Sequence, residues 1–213
     1  MRLSPTTCST LAACCLALGL PALAHAQSVP DTLSLAGRSN VMIGIGLTGA
    51  RDATASGTQT STHTTGEVGS LAFQHWLRPA VAISISASVL NADATTSGGR
   101  SHTNAITPLL FGVSYSPPAL ALSPSLRPFV AAAAGPYFHV VADAGLGSAS
   151  STTESAPGAR LALGTHWFVA RHFVLSVEGD YHAVGDFAHR DAVTAQATGF
   201  GMAMGIGFGW GGR

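Results

Sequence analysis

Three charged residues stand out for their placement: Arg160, Glu178 and Asp180 occupy matching alternate positions in two apolar stretches separated by a short turn. If that turn pairs Phe168 with His172, an antiparallel register sets Arg160 opposite Asp180 and Ala162 opposite Glu178. One guanidinium then meets two carboxylates, the makings of either acid–base chemistry or a buried ion pair. Inside a narrow, packed strand barrel the second reading holds: a structural plug that neutralises its own charges and fixes register. Nucleophilic catalysis would need a serine within reach of a histidine that is itself oriented by an acid. No His-x-Ser lies on one strand face beside an acid, and Tyr181-His182 with Asp186 is the nearest arrangement. His63, His102 and His189 fall in stretches expected to be loops and lack ligand spacing, so they read as solvated residues and not as a metal site. The glycines alternate within strands and do not open a helix after a strand, so no phosphate cradle is expected. The residues thus point to no catalytic, cofactor or metal site.

What positions these side chains is clearest at the C-terminal end, residues 195–210, AQATGFGMAMGIGFGW. Odd positions carry only alanine and glycine, whereas even positions run Gln196, Thr198, Phe200, Met202, Met204, Ile206, Phe208 and Trp210. A strict period of two is a strand. A face almost without side chains suits the crowded inside of a small barrel, and a bulky apolar face suits lipid. A membrane helix, suggested by Gly201, Gly205 and Gly209 at GxxxG spacing, fails on two counts. Five glycines in sixteen residues would each cost about 1 kcal/mol in a helix interior, and the stretch is shorter than the ~20 residues a spanning helix needs.

The same grammar recurs upstream. Strands are expected over residues 41–48, 67–77, 81–89, 105–115, 128–140, 159–168, 173–182 and the C-terminal stretch, with polar Ser/Thr/Gly loops at 51–66, 91–103, 142–157 and 185–194. Large residues such as Val41, Ile43, Ile45, Leu71, Phe73, Ile83, Ile85, Phe111 and Val113 fall on one face. Small or polar ones such as Gly44, Gly46, Ser84, Ser86, Gly112 and Ser114 fall on the other. In residues 128–140 the alanine run hides which face is which, and Trp76 lands on the inner face, away from an interfacial aromatic girdle. Eight strands with short links and long loops alternating give an all-β, eight-stranded antiparallel up-and-down transmembrane β-barrel whose ends are both periplasmic.

Bulk properties agree. Ten arginines balance ten carboxylates, lysine is absent, and charged residues make up 9% of the 213-residue chain. There is no basic stripe for nucleic acid. Residues 1–26 read as a secretory leader, with Arg2, an apolar core over 11–23 and an Ala24-His25-Ala26 cleavage site. The lipoprotein-like 11–14 box lacks an apolar segment before it. Cys8, Cys14 and Cys15 all lie in the leader, so no disulfide or thiol chemistry is expected of the remainder. The domains are then 1–26 signal peptide, 27–40 periplasmic lead-in and 41–213 barrel.

Over residues 41–210 the chain resembles the small outer-membrane β-barrel proteins, the group holding the OmpA transmembrane domain, the OmpX and opacity adhesins and the OmpW-like proteins. Gly205, Phe208 and Trp210 look like the C-terminal signal read by the outer-membrane insertion machinery, with Ala203 where a polar residue is usual and Gly211-Gly212-Arg213 beyond the aromatic. The resemblance implies a Gram-negative outer membrane as location. Outer-membrane lipids and lipopolysaccharide are the implied surroundings. A structural or surface-interaction role follows, against the alternatives of a lipid A acyl hydrolase or transferase and a narrow conduit for small hydrophobic molecules. The Ser/Thr-rich loops leave the extracellular partner unspecified.

Overall fold

The computed structural model describes residues 34–50, 54–55, 58–59, 64–97, 100–121, 123–145, 148–187 and 198–212. Residues 1–26, expected to be a secretory leader, the first part of the expected lead-in, and His63 and His189 lie outside the described residues. Eight strands form the wall: β1 Arg38–Ala50, β2 Thr64–Arg78, β3 Val81–Ser97, β4 Arg100–Tyr115, β5 Leu126–Gly145, β6 Ser148–Phe168, β7 Phe173–Val184 and β8 Gly199–Gly211. They close in the order β1-β8-β7-β6-β5-β4-β3-β2, every neighbouring pair antiparallel. A barrel leaves no strand edge around its girth, which is what a hydrocarbon environment demands of backbone polar groups.

The closing seam shows why this sequence makes a barrel. Along β1 and β8, Ile43 pairs with Ile206, Ile45 with Met204 and Leu47 with Met202, while Gly44 meets Gly205 and Gly46 meets Ala203 between them. Bulk stands outside and near-absence of side chain inside. Ile43 and Leu163 are 61% and 65% exposed, whereas Trp76 and Phe168 are wholly buried. A protein facing water buries such residues; a contiguous outer belt of Ile, Leu, Phe and Met fits lipid. The alanine run of β5 is settled by its flanks: Phe129 and Tyr137 are buried in the lumen while Val130 stands exposed on the outer wall.

Three expectations need correction. The stretches 91–103 and 142–157, read as loops because they are polar, are mostly strand: β3 pairs β4 out to Ser97 and Arg100, and β5 pairs β6 out to Gly145 and Ser148. Strands that run past the apolar belt need no apolar face, so alternation vanishes while pairing continues. The lead-in does not run to Asn40, because β1 starts at Arg38. Before it, residues 34–37 turn under the barrel, Gly37 takes φ +75°, a left-handed conformation that suits glycine, and the buried Leu35 seals the floor. The β6–β7 register is offset by two residues from the expected one: Phe168 pairs Val174, not His172. Ala170 and Phe173 exchange backbone hydrogen bonds of 3.4 and 3.2 Å around a two-residue turn, Arg171-His172. This tighter turn displaces the ladder, but an even shift keeps every side chain on its face.

The links at one end are short, while the hairpins at the other end are long. A transmembrane strand needs about 9–11 residues, yet β5 and β6 have 20 and 21. The described β2–β3 ladder stops at Gly69 and Val89 and the β6–β7 ladder at Gly158 and Val184. Beyond those points β3–β6 continue as a four-stranded polar sheet rising roughly 25–35 Å at about 3.3 Å per residue.

Candidate functional site

The lumen is stacked in tiers. At the short-turn end an apolar plug gathers Leu35, Trp76, Ala82, Phe168 and Val174. Over it lies the buried Arg38, its Cζ 5.0 Å from the Phe168 ring. Its Nε donates to Asn40 Oδ1 at 3.0 Å and its Nη1 to the Arg171 carbonyl at 2.8 Å. At the long-hairpin end a second plug gathers Leu90, Ile106, Leu110, Tyr137, Ala156 and Phe187. Between the two plugs lies a polar layer.

In that space Arg160 meets both predicted partners. Its Nε donates to Asp180 Oδ2 at 2.8 Å and its Nη2 pairs with Glu178 Oε1. The offset register places His182 directly opposite Arg160, with Asp180 opposite Ala162 and Glu178 opposite Gly164. Arg160 therefore reaches its carboxylates diagonally, two and four positions along β7. Diagonal neighbours lie ~7–8 Å apart at the backbone, a span that the long arginine side chain bridges. Gly164 is part of the device, since a Cβ there would sit 2.8 Å from that of Glu178.

The network extends beyond what sequence reasoning assembled. His182 Nε2 lies 3.4 Å from Asp180 Oδ2, and its Nδ1 lies 2.7 Å from the Tyr137 hydroxyl, which brings β5 into the chain Tyr137–His182–Asp180–Arg160–Glu178. The partners of an inner-face histidine and tyrosine on three strands depend on register between strands, which alternation alone does not supply. Sealed under the outer plug, with His182 3% exposed, the chain ties β5, β6 and β7 together and neutralises charge. The Tyr181-His182-Asp186 arrangement does not assemble: Tyr181 is on the outer wall and His182 points inward to other partners.

Below the ion pair, a cavity of about 80 Å³ is lined by Gln74, Ser114, Phe129, His166, Ser176 and Glu178, among others. A second, of about 50 Å³, lies on the far side of Arg160 and Glu178, which border both. His166 is 4% exposed, stacks on Phe129 at 4.3 Å, and neither ring nitrogen has a protein partner; Ser114 Oγ and Trp76 Nε1 are likewise unpaired. Buried polar groups of this kind are ordinarily satisfied by water, and the larger cavity has room for several molecules. Among the described residues no group of His, Cys, Asp and Glu is arranged to hold a metal. His102 lies in β4, but its side chain is outside the described residues, as are His63 and His189.

The outer wall carries one polar pair that sequence reading missed. Ser39 and His75 are opposite each other on β1 and β2, with Oγ 2.9 Å from Nδ1, near the short-turn rim. Only the β1–β2 register brings them together, across 36 positions of sequence. The C-terminal residues also sort by face: Phe208 and Trp210 are exposed on the outer wall, while Gly205 lies inward against Ser176 Oγ, which a Cβ would meet at 2.8 Å. His172 stacks on Phe208, with its Nδ1 2.8 Å from the Gly209 carbonyl, and so clamps the end of β8 to the β6–β7 turn.

Neither a protein-family model nor a curated protein sequence matches the chain. Solved structures do share its fold. The attachment invasion locus protein Ail of Yersinia pestis, in complex with the heparin analogue sucrose octasulfate, aligns with a TM-score of 0.56 at 10% identity, covering 82% of this chain and 99% of that one. Neisserial surface protein A aligns at 0.54 and 11%, covering 81% and 97%. The outer membrane protein OprG of Pseudomonas aeruginosa aligns at 0.52 and 13%, covering 82% and 96%.

Proposed function

We propose that this chain, which has the fold of small outer-membrane β-barrels, resides in a Gram-negative outer membrane and serves as a surface-interaction protein and not as an enzyme or channel. The observation that carries the reading is the polar four-stranded sheet of β3–β6, built well beyond what spanning requires. In barrels of this kind the long hairpins face outward and the short turns face the periplasm. The sheet then stands outside the cell, offering Ser150, Ser151, Thr152 and Thr153 to lipopolysaccharide, a host surface or phage. Ail, with the same fold, is named for attachment and invasion.

Against a conduit stand the Leu35/Trp76/Phe168 and Leu90/Leu110/Tyr137 plugs, one at each end of the lumen. The Ser39–His75 pair has no described carboxylate on His75, and it lies at the end opposite the leaflet that holds lipid A. Export through a cleaved leader at residues 1–26 belongs to the same reading.

Bacteria expressing the whole protein should adhere to epithelial monolayers more than cells with an empty vector. Replacing residues 141–152 of the β5–β6 hairpin by Asn-Gly, a turn suited to the Val140–Thr153 pair, should remove the gain. Lipid A mass spectra should be the same with and without the gene. Altered lipid A acylation would overturn the proposal, and adherence unaffected by expression would exclude a host surface as the partner of the sheet.

A further inference from the structure

Among the described residues, Arg38, Arg78, Arg127 and Arg171 lie at the short-turn end and Arg100 at the long-hairpin end. Arg78 ends β2, Arg127 is the second residue of β5 and Arg171 sits in the β6–β7 turn, so each link at the short-turn end has an arginine beside or in it. Arg78 and Arg171 are exposed. Arg78 has no hydrogen-bond or ion-pair partner among the described residues. No described residue at this end is acidic: Glu178 and Asp180 are in the lumen, and Glu67, Asp93, Asp143, Glu154 and Asp186 are toward the opposite end.

Above Arg78 on the outer wall is an apolar groove of about 270 Å³. Its floor is Ala87, which pairs on either side with Leu71 and Leu109, and Val41, Phe73 and Ile85 complete its walls. One outward step from Val41 and Phe73 toward the rim, about 7 Å along the strands, comes the Ser39–His75 pair. Leu77 and Arg78 follow. Descending the wall, the order is apolar groove, hydrogen-bonding pair, cation.

That order matches one kind of molecule. We infer that this wall binds an anionic glycerophospholipid of the periplasmic leaflet, its phosphate at Arg78, its ester oxygens at the depth of Ser39 and His75, and one acyl chain in the groove over Ala87. The cation with no carboxylate among the described residues of its end supplies charge complementarity, and the hydrocarbon-facing setting supplies the chain. The inference rests on the membrane reading above.

The test uses the full-length protein folded into vesicles of equimolar phosphatidylglycerol and phosphatidylcholine with identical chains, and counts co-purifying lipids by native mass spectrometry. Each protein is first shown to be inserted by its shifted migration on unboiled gels. The wild type should retain phosphatidylglycerol about fivefold over phosphatidylcholine, the factor one arginine supplies near an anionic surface. Arg78→Gln should bring the ratio to parity. Ala87→Phe, which fills the groove, should cut retention of both lipids, whereas Val177→Phe on the opposite wall should change nothing. Equal retention by the wild type, or Ala87→Phe behaving as wild type, overturns the inference. So does Arg78-dependent co-sedimentation with purified peptidoglycan without any lipid preference. Failure of the wild type to insert would instead sink the membrane reading itself.

Discussion

Arg160 is the cation on which the lumen's electrostatics turn. It holds Asp180 and Glu178 together on β7, and Asp180 in turn faces His182. Removing one partner of a buried pair strands the others, which costs more than the pair contributes when intact. Arg160→Ala should therefore lower the unfolding free energy by about 3–5 kcal/mol, measured by urea titration in lipid vesicles. The triple variant Arg160→Met, Glu178→Leu, Asp180→Leu should recover most of that loss, since it leaves no charge unpaired. If the triple variant is as unstable as Arg160→Ala, packing and not charge is what Arg160 provides.

At the level of the strands, alternation of bulky and small residues decided which face was which. It placed Ile43, Leu71, Phe111, Leu163 and Met204 on the outer wall and Trp76 inside. It also placed Arg160, Glu178 and Asp180 on a common inner face. What it did not contain was the extent of the strands, because residues 91–97 and 148–157 lie beyond the apolar belt and lose the two-residue period while keeping their backbone partners. Register was legible only up to even shifts, since Phe168–His172 and Phe168–Val174 pairings leave the same faces inward. Hence the Arg160 triad was readable but the His182–Tyr137 extension and the Ser39–His75 pair were not. The faces also predict a one-sided response to charge. Ile43→Arg, on the lipid side and flanked by Ile206 and Leu71, should destabilise the folded barrel by roughly 2–4 kcal/mol in vesicles. A loss under 1 kcal/mol would place Ile43 in water.

In the proposed reading of the whole molecule, one closed wall separates hydrocarbon from a plugged lumen, with a polar sheet raised at one end and, among the described residues, an arginine beside each link at the other. The most direct measurement uses two native tryptophans on opposite sides of that wall: Trp210 is 43% exposed outside, and Trp76 is sealed in the lower plug. Proteins retaining either one alone, with the remaining tryptophans changed to phenylalanine, can be folded into vesicles whose acyl chains carry bromine, a contact quencher. The account predicts strong quenching of Trp210 emission and none of Trp76. Equal quenching of both, or quenching of Trp76 alone, would contradict it.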